Sequence, residues 1–153
     1  MEMNDEIRIE APRARVYAAL NDPDILKACI PGCEELIRHS DTDLEARVTL
    51  KIGPVKARFG GQVTLDNADA PERFGLTGEG SGGVAGFAKG GADVELAEDG
   101  DATLLRYSAK VDIGGKIAQL GSRLITSTSR KLAGKFFESF KAEVEQGADA
   151  PAG

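Results

Sequence analysis

The fold of this chain is decided by residues 111–123, which read VDIGGKIAQLGSR. Before this stretch, about a hundred residues form short segments in which apolar and polar side chains alternate, as they do in strands. After the glycine pair, apolar residues recur at helical spacing, which predicts one helix from Lys116 to about Glu145. Such a helix would be about 45 Å long. One antiparallel sheet followed by one long terminal helix indicates a sheet wrapped around a helix, with a cavity between them.

The first thirty residues predict a strand, two short helices and two turns. Ile7 and Ile9 alternate with charged residues, which is typical of a half-buried strand. Pro12 suits the first turn of a helix, and residues 21–24 (NDPD) end that helix and cap a second one. From residue 34 to residue 113 the period is two almost throughout, so about six strands follow one another and must pair antiparallel. The predicted fold class is therefore α+β: about seven strands in a curved antiparallel sheet around a long C-terminal helix.

The chain length and composition favour one ordinary globular domain. The 153 residues leave room for a core or an internal pocket, and we expect the domain to span residues 1–146. Residues 147–153 are small, polar and contain proline, so a disordered tail is expected there.

The bulk charge argues against some partners and compartments. With a formal net charge of -6, the molecule as a whole should not be drawn to nucleic acid or to anionic lipid. No apolar run approaches the roughly 20 residues that span a membrane, and the acidic N-terminus lacks the apolar core of a signal peptide. A cytoplasmic protein is expected.

The sequence offers no pattern typical of catalysis or of a metal site. Cys29 and Cys33 are separated by three residues and His39 is the one histidine, so reduced, partly buried thiols are expected instead of metal ligands. No nucleophile–base pair and no phosphate loop with lysine can be found. These observations favour binding over catalysis and suggest no intrinsic cofactor.

Residues 78–83 (GEGSGG) match the dinucleotide fingerprint G-x-G-x-x-G. That site requires a helix directly after the glycines, because the helix N-terminus binds the pyrophosphate. Here the following residues continue in a glycine-interrupted strand pattern. We therefore expect these glycines to bend the sheet, and we expect glycine and alanine at inward positions to leave empty volume.

Residues from both the sheet and the helix are expected to line the cavity. Gly121 and Thr128 stand on the inward helix face where bulky residues would normally lie, and they would leave room for a ligand. Plain core packing is the alternative for most of the set. The predicted lining consists of Phe59, Phe74, Leu76, Phe87, Tyr107, Ile117, Leu120, Gly121, Leu124 and Thr128.

The outer side of the predicted helix carries candidate docking residues. Lys116, Arg123 and Arg130 are spaced by seven and would form one basic stripe, which either is simply solvated or docks on an acidic partner or on anionic lipid headgroups. Phe137 belongs to a second apolar strip, which either contacts a partner or a bilayer or closes the open end of the sheet. Residues 126–129 (TSTS) are weak helix formers, and a loop is the alternative there.

Several segments resemble the carbon monoxide dehydrogenase G-subunit (CoxG) family, whose members have the helix-grip fold of the START and polyketide-cyclase superfamily. The most specific of them are the proline–glycine turn within residues 29–34 and the segment 114–123. Together they cover most of residues 3–145. The resembling segments are residues 21–26 with 29–34, residues 51–55 with 59–61, residues 78–83 with Gly86, and residues 111–123.

The resemblance implies a non-catalytic accessory protein for a molybdenum hydroxylase such as aerobic carbon monoxide dehydrogenase. Such a protein would help to recruit that enzyme to the cytoplasmic membrane, and a quinone or similar lipid would occupy its cavity. Some family members carry a C-terminal extension that anchors them to the membrane. This chain stops at Gly153 without one, so only peripheral contact at the inner face of the membrane is expected. The alternatives are a small cyclase- or dehydratase-type enzyme that uses the same cavity, and an assembly factor whose cavity is incidental.

Overall fold

The computed structural model describes residues 1–149. It confirms the predicted α+β fold, in which seven strands and three helices are joined by short turns. Two 3-10 turns, Gly83–Ala85 and Lys116–Leu120, interrupt the strands and precede the last helix. The elements in chain order are β1 (Glu2–Ile9), α1 (Arg13–Leu20), α2 (Pro23–Cys29), β2 (Cys33–Arg38), β3 (Asp43–Ile52), β4 (Val55–Asp66), β5 (Arg73–Ser81), β6 (Phe87–Asp99), β7 (Ala102–Gly114) and α3 (Ser122–Asp149).

The seven strands form one antiparallel sheet in the order β1-β7-β6-β5-β4-β3-β2. Strands β2 to β7 follow one another as a meander because short turns join them. Strand β1 instead crosses over to pair with β7, with Glu2 opposite Lys110 and Ile9 opposite Thr103. The two edges of the sheet are therefore β1 and β2.

The last helix begins later and ends later than predicted. Lys116–Leu120 is a 3-10 turn, and Gly121, at φ +96°, separates it from α3. Gly115 has φ +82°, so two glycines redirect the backbone in a region that other residues rarely adopt. Helix α3 then runs unbroken through residues 126–129, where a loop was the alternative, and continues to Asp149. The predicted tail is thus helical over residues 147–149, and the rest of it, residues 150–153, lies outside the described residues.

The two short helices cover one end of the sheet. Helix α2 begins as predicted: the Asp22 carboxylate accepts a hydrogen bond from the Asp24 backbone N–H at 2.9 Å, and Pro23 occupies the first helical position. Both short helices approach α3, and α1 also approaches β6 and β7.

The buried apolar side chains form two separate clusters, one at each end of the sheet. The cluster beneath α1 and α2, here called the helix-end core, also holds Thr103, whose buried hydroxyl donates to the carbonyl oxygen of Ala11 at 2.8 Å. The cluster at the opposite end is called the turn-end core. The helix-end core consists of Ile9, Ala11, Val16, Ala19, Cys29, Phe74, Leu96, Leu105, Phe140 and Val144. The turn-end core consists of Ile52, Ala57, Ala85, Ile117 and Ile125.

Helix α3 is fixed at both of its ends. Near its start, Leu124 packs against the turn-end core and lies close to Gly53 in the β3–β4 turn. Near its other end, Phe140 is fully buried, and the Glu145 carboxylate accepts a hydrogen bond from the backbone N–H of Glu10 at 2.8 Å. The helix therefore spans the distance between the two cores.

Candidate functional site

Small side chains line the inward face of the sheet between the two cores. Because side chains alternate along a strand, the buried Phe74, Leu96 and Leu105 identify the inward positions of β5, β6 and β7. At the centre of the sheet this inward phase falls mostly on glycine and alanine, and all of these positions are partly exposed. The small inward residues are Ala46, Gly61, Gly78, Gly80, Ala88, Gly90, Ala92 and Ala109.

The larger inward side chains of this region do not complete a core. Leu65 lies opposite Leu76 on β5, and both are partly exposed. Leu132 on α3 is also partly exposed. None of the three belongs to either buried core or packs against one, within the part of the chain described here. We call this region, between the two cores and under α3, the central interior.

The helix does not close onto the central strands. Its main backbone approaches are to α1, α2, β1, β3 and the second 3-10 turn. The packing of α3 thus lies at the two ends and toward the edges of the sheet, and the small side chains at the sheet centre leave the space beneath it partly filled.

A groove of about 680 Å³ opens between β1 and α3. This volume falls within the range of roughly 300–1,000 Å³ that ligand sites usually have. Its apolar side chains are Met3, Ile7, Tyr107, Ala133 and Phe137. Its remaining lining residues are Glu2, Asn4, Asp5, Arg130, Gly134, Glu138 and Lys141. The combination of apolar walls and charged groups suits a molecule with an apolar body and a polar end.

Aromatic rings join this β1–α3 groove to the helix-end core. Tyr107 stacks on Phe137 with ring centroids 5.1 Å apart and an interplanar angle of 18°. Phe137 meets Phe136 edge-on at 5.0 Å, and Phe136 stacks on the buried Phe140 at 5.6 Å. The wall of the groove is thereby tied to side chains that cannot move without disturbing the core.

Burial raises the pKa of the Tyr107 hydroxyl, and the negative charge of Asp5 raises it further. Both causes favour the neutral phenol, since burial and a nearby negative charge disfavour a phenolate. At neutral pH the ring therefore offers the groove one uncharged hydroxyl group that can donate or accept a hydrogen bond.

The ten predicted lining residues are distributed over several places. Tyr107 lines the groove, and Leu76 and Thr128 are partly exposed, Leu76 in the central interior and Thr128 on α3. Phe74 lies in the helix-end core, edge-on to Tyr17, and Ile117 is buried in the turn-end core. The other partly buried members pack against the turn-end core, namely Phe59, Leu120 and Leu124.

Phe87 and Gly121 do not line the interior, so their prediction is wrong. Ala88 is the inward residue at the start of β6, which directs Phe87 to the outer face, where it is 51% exposed and lies against Gly114. Gly121 stands at the exposed break before α3, and a side chain there would meet no atom within 4 Å. It serves the change of chain direction and leaves no room for a ligand.

The predicted basic stripe is also divided by the break at Gly121. Lys116 is exposed on the 3-10 turn, whereas Arg123 and Arg130 are exposed on α3, so the spacing of seven does not place all three on one helix face. Phe137 faces inward, stacked on Tyr107, because it shares the buried phase of Phe140. It is not an outward contact.

The other polar groups lie outside this site. Burial raises the pKa of the thiols of Cys29 and Cys33, which are unpaired. His39 contacts Glu45 at 3.0 Å on the surface. Within residues 1–149, no cluster of three His, Cys, Asp or Glu side chains is placed to hold a metal ion. In the described part of the chain, no helix has the length and apolar character needed to cross a membrane.

The chain is similar to one described protein family over most of its length. Residues 6–145 match the profile of CoxG, the G-subunit of carbon monoxide dehydrogenase. No curated protein matches the sequence. Among solved structures, a conserved protein from Geobacillus kaustophilus has 26% identity and a TM-score of 0.88, over 96% of this chain and 97% of that one.

Two further solved structures share the fold at lower identity. The Zhui aromatase/cyclase from Streptomyces sp. R1128 has 12% identity and a TM-score of 0.75, over 100% of this chain and 98% of that one. A fragment of the STAR-related lipid transfer protein from Xanthomonas axonopodis has 19% identity and a TM-score of 0.66, over 95% of this chain and 86% of that one. These similarities confirm the predicted helix-grip, START-like fold.

Proposed function

Given that this chain belongs to the CoxG family of carbon monoxide dehydrogenase, we propose that it is a non-catalytic accessory protein that binds a hydrophobic molecule between its sheet and α3. The proposed ligand is a quinone or a similar lipid. The proposed role is to help to recruit or couple a molybdenum hydroxylase, such as carbon monoxide dehydrogenase, to the inner face of the cytoplasmic membrane.

The observation that carries the ligand-binding proposal is the central interior. A chain that folded only for stability would fill its middle with large buried side chains, because close packing is the usual state of protein interiors. Here the inward positions of the central strands are mostly glycine and alanine, and Leu76 and Leu132 remain partly exposed. The β1–α3 groove gives this region an opening of suitable size.

The names of the structural neighbours support the same chemistry. One is called a lipid transfer protein and another an aromatase/cyclase, and both names refer to molecules with large apolar parts. Since the two share only the fold with this chain, they support the class of ligand and not its identity. The coupling to a molybdenum hydroxylase is supported by the family alone.

The experiment that tests ligand binding pairs two neighbouring residues of β7. Ala109 is inward, opposite Ala92, and Ser108 is outward, opposite Asp93. Ala109→Phe places a ring in the central interior, whereas Ser108→Phe places the same ring on the outer face. Binding of decylubiquinone, measured by equilibrium dialysis, should weaken about tenfold or more in Ala109→Phe and stay within about twofold in Ser108→Phe. Circular dichroism would establish that both variants are folded.

Native mass spectrometry of the purified chain, before and after exposure to a membrane lipid extract, identifies the occupant. Recovery of one quinone or lipid per chain is the expected result. A chain that stays empty in both conditions, or that binds decylubiquinone equally in the two variants, would overturn the proposal. Chemical conversion of the bound molecule would instead support the cyclase-type alternative. Co-purification of a tagged chain with the molybdenum hydroxylase tests the coupling separately.

A further inference from the structure

The charges of this acidic protein are strongly segregated along the sequence. Residues 46–65, 80–92 and 113–137 contain ten Lys and Arg residues and no Asp or Glu. The other nine Lys and Arg share the rest of the chain with all 25 Asp and Glu. The net charge of -6 therefore combines a basic part and a strongly acidic part.

The fold brings the three basic segments together at one end of the molecule. All five members of the turn-end core come from these segments. Leu124 of α3 lies close to Gly53 in the β3–β4 turn, and the backbones of Gly86 and Gly115 come so close that a Cβ on Gly115 would lie 2.4 Å from the Gly86 Cα. We call the surface formed by the β3–β4 turn, the two 3-10 turns and the first turn of α3 the turn end.

The cations at the turn end are exposed and are not neutralised by neighbours. Lys51 and Lys56 flank the β3–β4 turn, Lys116 begins the second 3-10 turn, and Arg123 lies in the first turn of α3. All four are exposed, and none makes an ion pair with a described residue. By contrast, Arg8, Arg106 and Lys110 along β1 and β7 each face a carboxylate.

An apolar side chain projects from the middle of this surface. Val84, in the first 3-10 turn, is 92% exposed, and it is the most exposed of the large apolar side chains described. The turn that carries it is held to the β7 end by the close approach of Gly86 to Gly115. An exposed apolar tip among unpaired cations is the arrangement expected where a protein meets an anionic lipid surface, since cations bind the headgroups while the apolar group enters the interface.

We infer that the turn end docks on the anionic face of a lipid bilayer, with Val84 entering the headgroup region and the acidic remainder of the molecule pointing away. This inference rests on the part of the proposed function that places the chain at a membrane. An acidic protein surface would also attract cations, but it would not require an isolated, projecting valine. The charge segregation would orient the molecule during its approach, because a bilayer repels the acidic part while it attracts the turn end.

Co-sedimentation with vesicles tests the inference with a matched pair of variants. Lys51→Glu/Lys56→Glu and Arg15→Glu/Lys27→Glu change the net charge equally, and all four positions are exposed and lack ion pairs among the described residues. Arg15 and Lys27 lie on α1 and α2, at the opposite end. The unaltered chain should bind phosphatidylcholine vesicles that contain phosphatidylglycerol, bind pure phosphatidylcholine poorly, and dissociate as salt is raised.

The turn-end variant should lose about tenfold or more of its vesicle binding, because each basic residue near an anionic surface contributes about a fivefold change in partitioning. The control variant should stay within about twofold of the unaltered chain, and Val84→Asp should weaken binding without any change in a cation. Equal losses in the two double variants, or no preference for phosphatidylglycerol, would overturn the inference.

Two further readouts separate this inference from the proposed function. Decylubiquinone binding in detergent-free solution should be the same in both double variants, because neither touches the central interior. Normal ligand binding without vesicle binding would refute the docking surface alone, whereas loss of ligand binding in the unaltered chain would refute the proposed function. Loss of the molybdenum hydroxylase, but not of vesicles, in the turn-end variant would assign the surface to an acidic protein instead and overturn the membrane inference.

Discussion

Leu132 and Ile125 offer a direct test of whether the central interior is an unfilled space. Both lie on α3, one heptad apart and therefore on nearly the same helix face. Ile125 is 7% exposed in the turn-end core, whereas Leu132 is partly exposed and belongs to neither core. Truncating each to alanine should have very different effects on the free energy of unfolding.

Ile125→Ala should lower the free energy of unfolding by about 2–5 kcal/mol, the usual cost of removing a buried branched side chain and leaving a cavity. Leu132→Ala should lower it by only about 1 kcal/mol. Its side chain already faces open space, so no closed cavity forms, and only part of the roughly 1.5–3 kcal/mol for a fully buried leucine is lost. Alanine is at least as good a helix former as either residue, so helix propensity does not produce the difference.

Urea denaturation followed by far-ultraviolet circular dichroism measures both variants, since the chain has no tryptophan to report on unfolding. Thermal midpoints should fall by about 2–4 °C for Leu132→Ala and by at least about 4 °C for Ile125→Ala. A saturating ligand should stabilise the unaltered chain by RT ln(1 + [L]/Kd), and Leu132→Ala should lose part of that gain while Ile125→Ala keeps it. If Leu132→Ala cost as much as Ile125→Ala, the central interior would be a packed core and the argument for a ligand space would be refuted.

Three further predictions concern individual side chains and are checked by the same denaturation experiment. Thr103→Val should cost about 1–3 kcal/mol, because it keeps the buried shape but leaves the bonded carbonyl without its donor; a neutral result would contradict this. Gly32→Ala should cost at least about 2 kcal/mol more than Gly100→Ala, since both glycines have positive φ but only at Gly32 would a Cβ lie 2.0 Å from a backbone oxygen, that of Thr49; equal costs would show that the loop relaxes freely. The raised pKa of Tyr107 means that the unfolded chain releases the phenolic proton first, so stability should fall as pH rises above about 10, by at most about 1.4 kcal/mol per pH unit for this residue, and Tyr107→Phe should show the smaller alkaline loss.

The order of elements could be predicted from the sequence because each depends on local spacing. The period of two from β2 to β7 and the cap at Asp22 and Pro23 are readable without any tertiary information. The break at Gly121 could not be read in this way. Ile117 and Leu120 keep a helix-like spacing because the 3-10 turn directs them to the turn-end core, and the positive φ of Gly121 leaves no mark on that spacing.

Two errors at the site had usable signals in the sequence. Val94 and Leu96 have even numbers in β6, so strict alternation would have placed Phe87 on the outer face. Phe137, Phe140 and Val144 recur at helical spacing, which would have placed Phe137 on the inner side.

The wall that β1 contributes to the groove carries no comparable signal. Met3 and Ile7 line the groove because β1 crosses over to pair with β7, which brings them beside α3. That pairing joins residues about a hundred positions apart, and no local pattern specifies it. The same holds for the turn end, whose three basic segments are distant in sequence and are united only by the fold.

The separation of the two cores divides folding and binding between different positions of the same sheet. Substitutions in the helix-end or turn-end core change stability and leave the middle of the sheet untouched, whereas substitutions at Ala92, Ala109 or Gly80 change the shape of the central interior and spare both cores. Ligand preference can therefore drift by changes between alanine and larger side chains without a penalty in folding. Relatives with the same two cores and different central residues would accept molecules of different girth, so these few positions, more than overall identity, should sort the family by ligand.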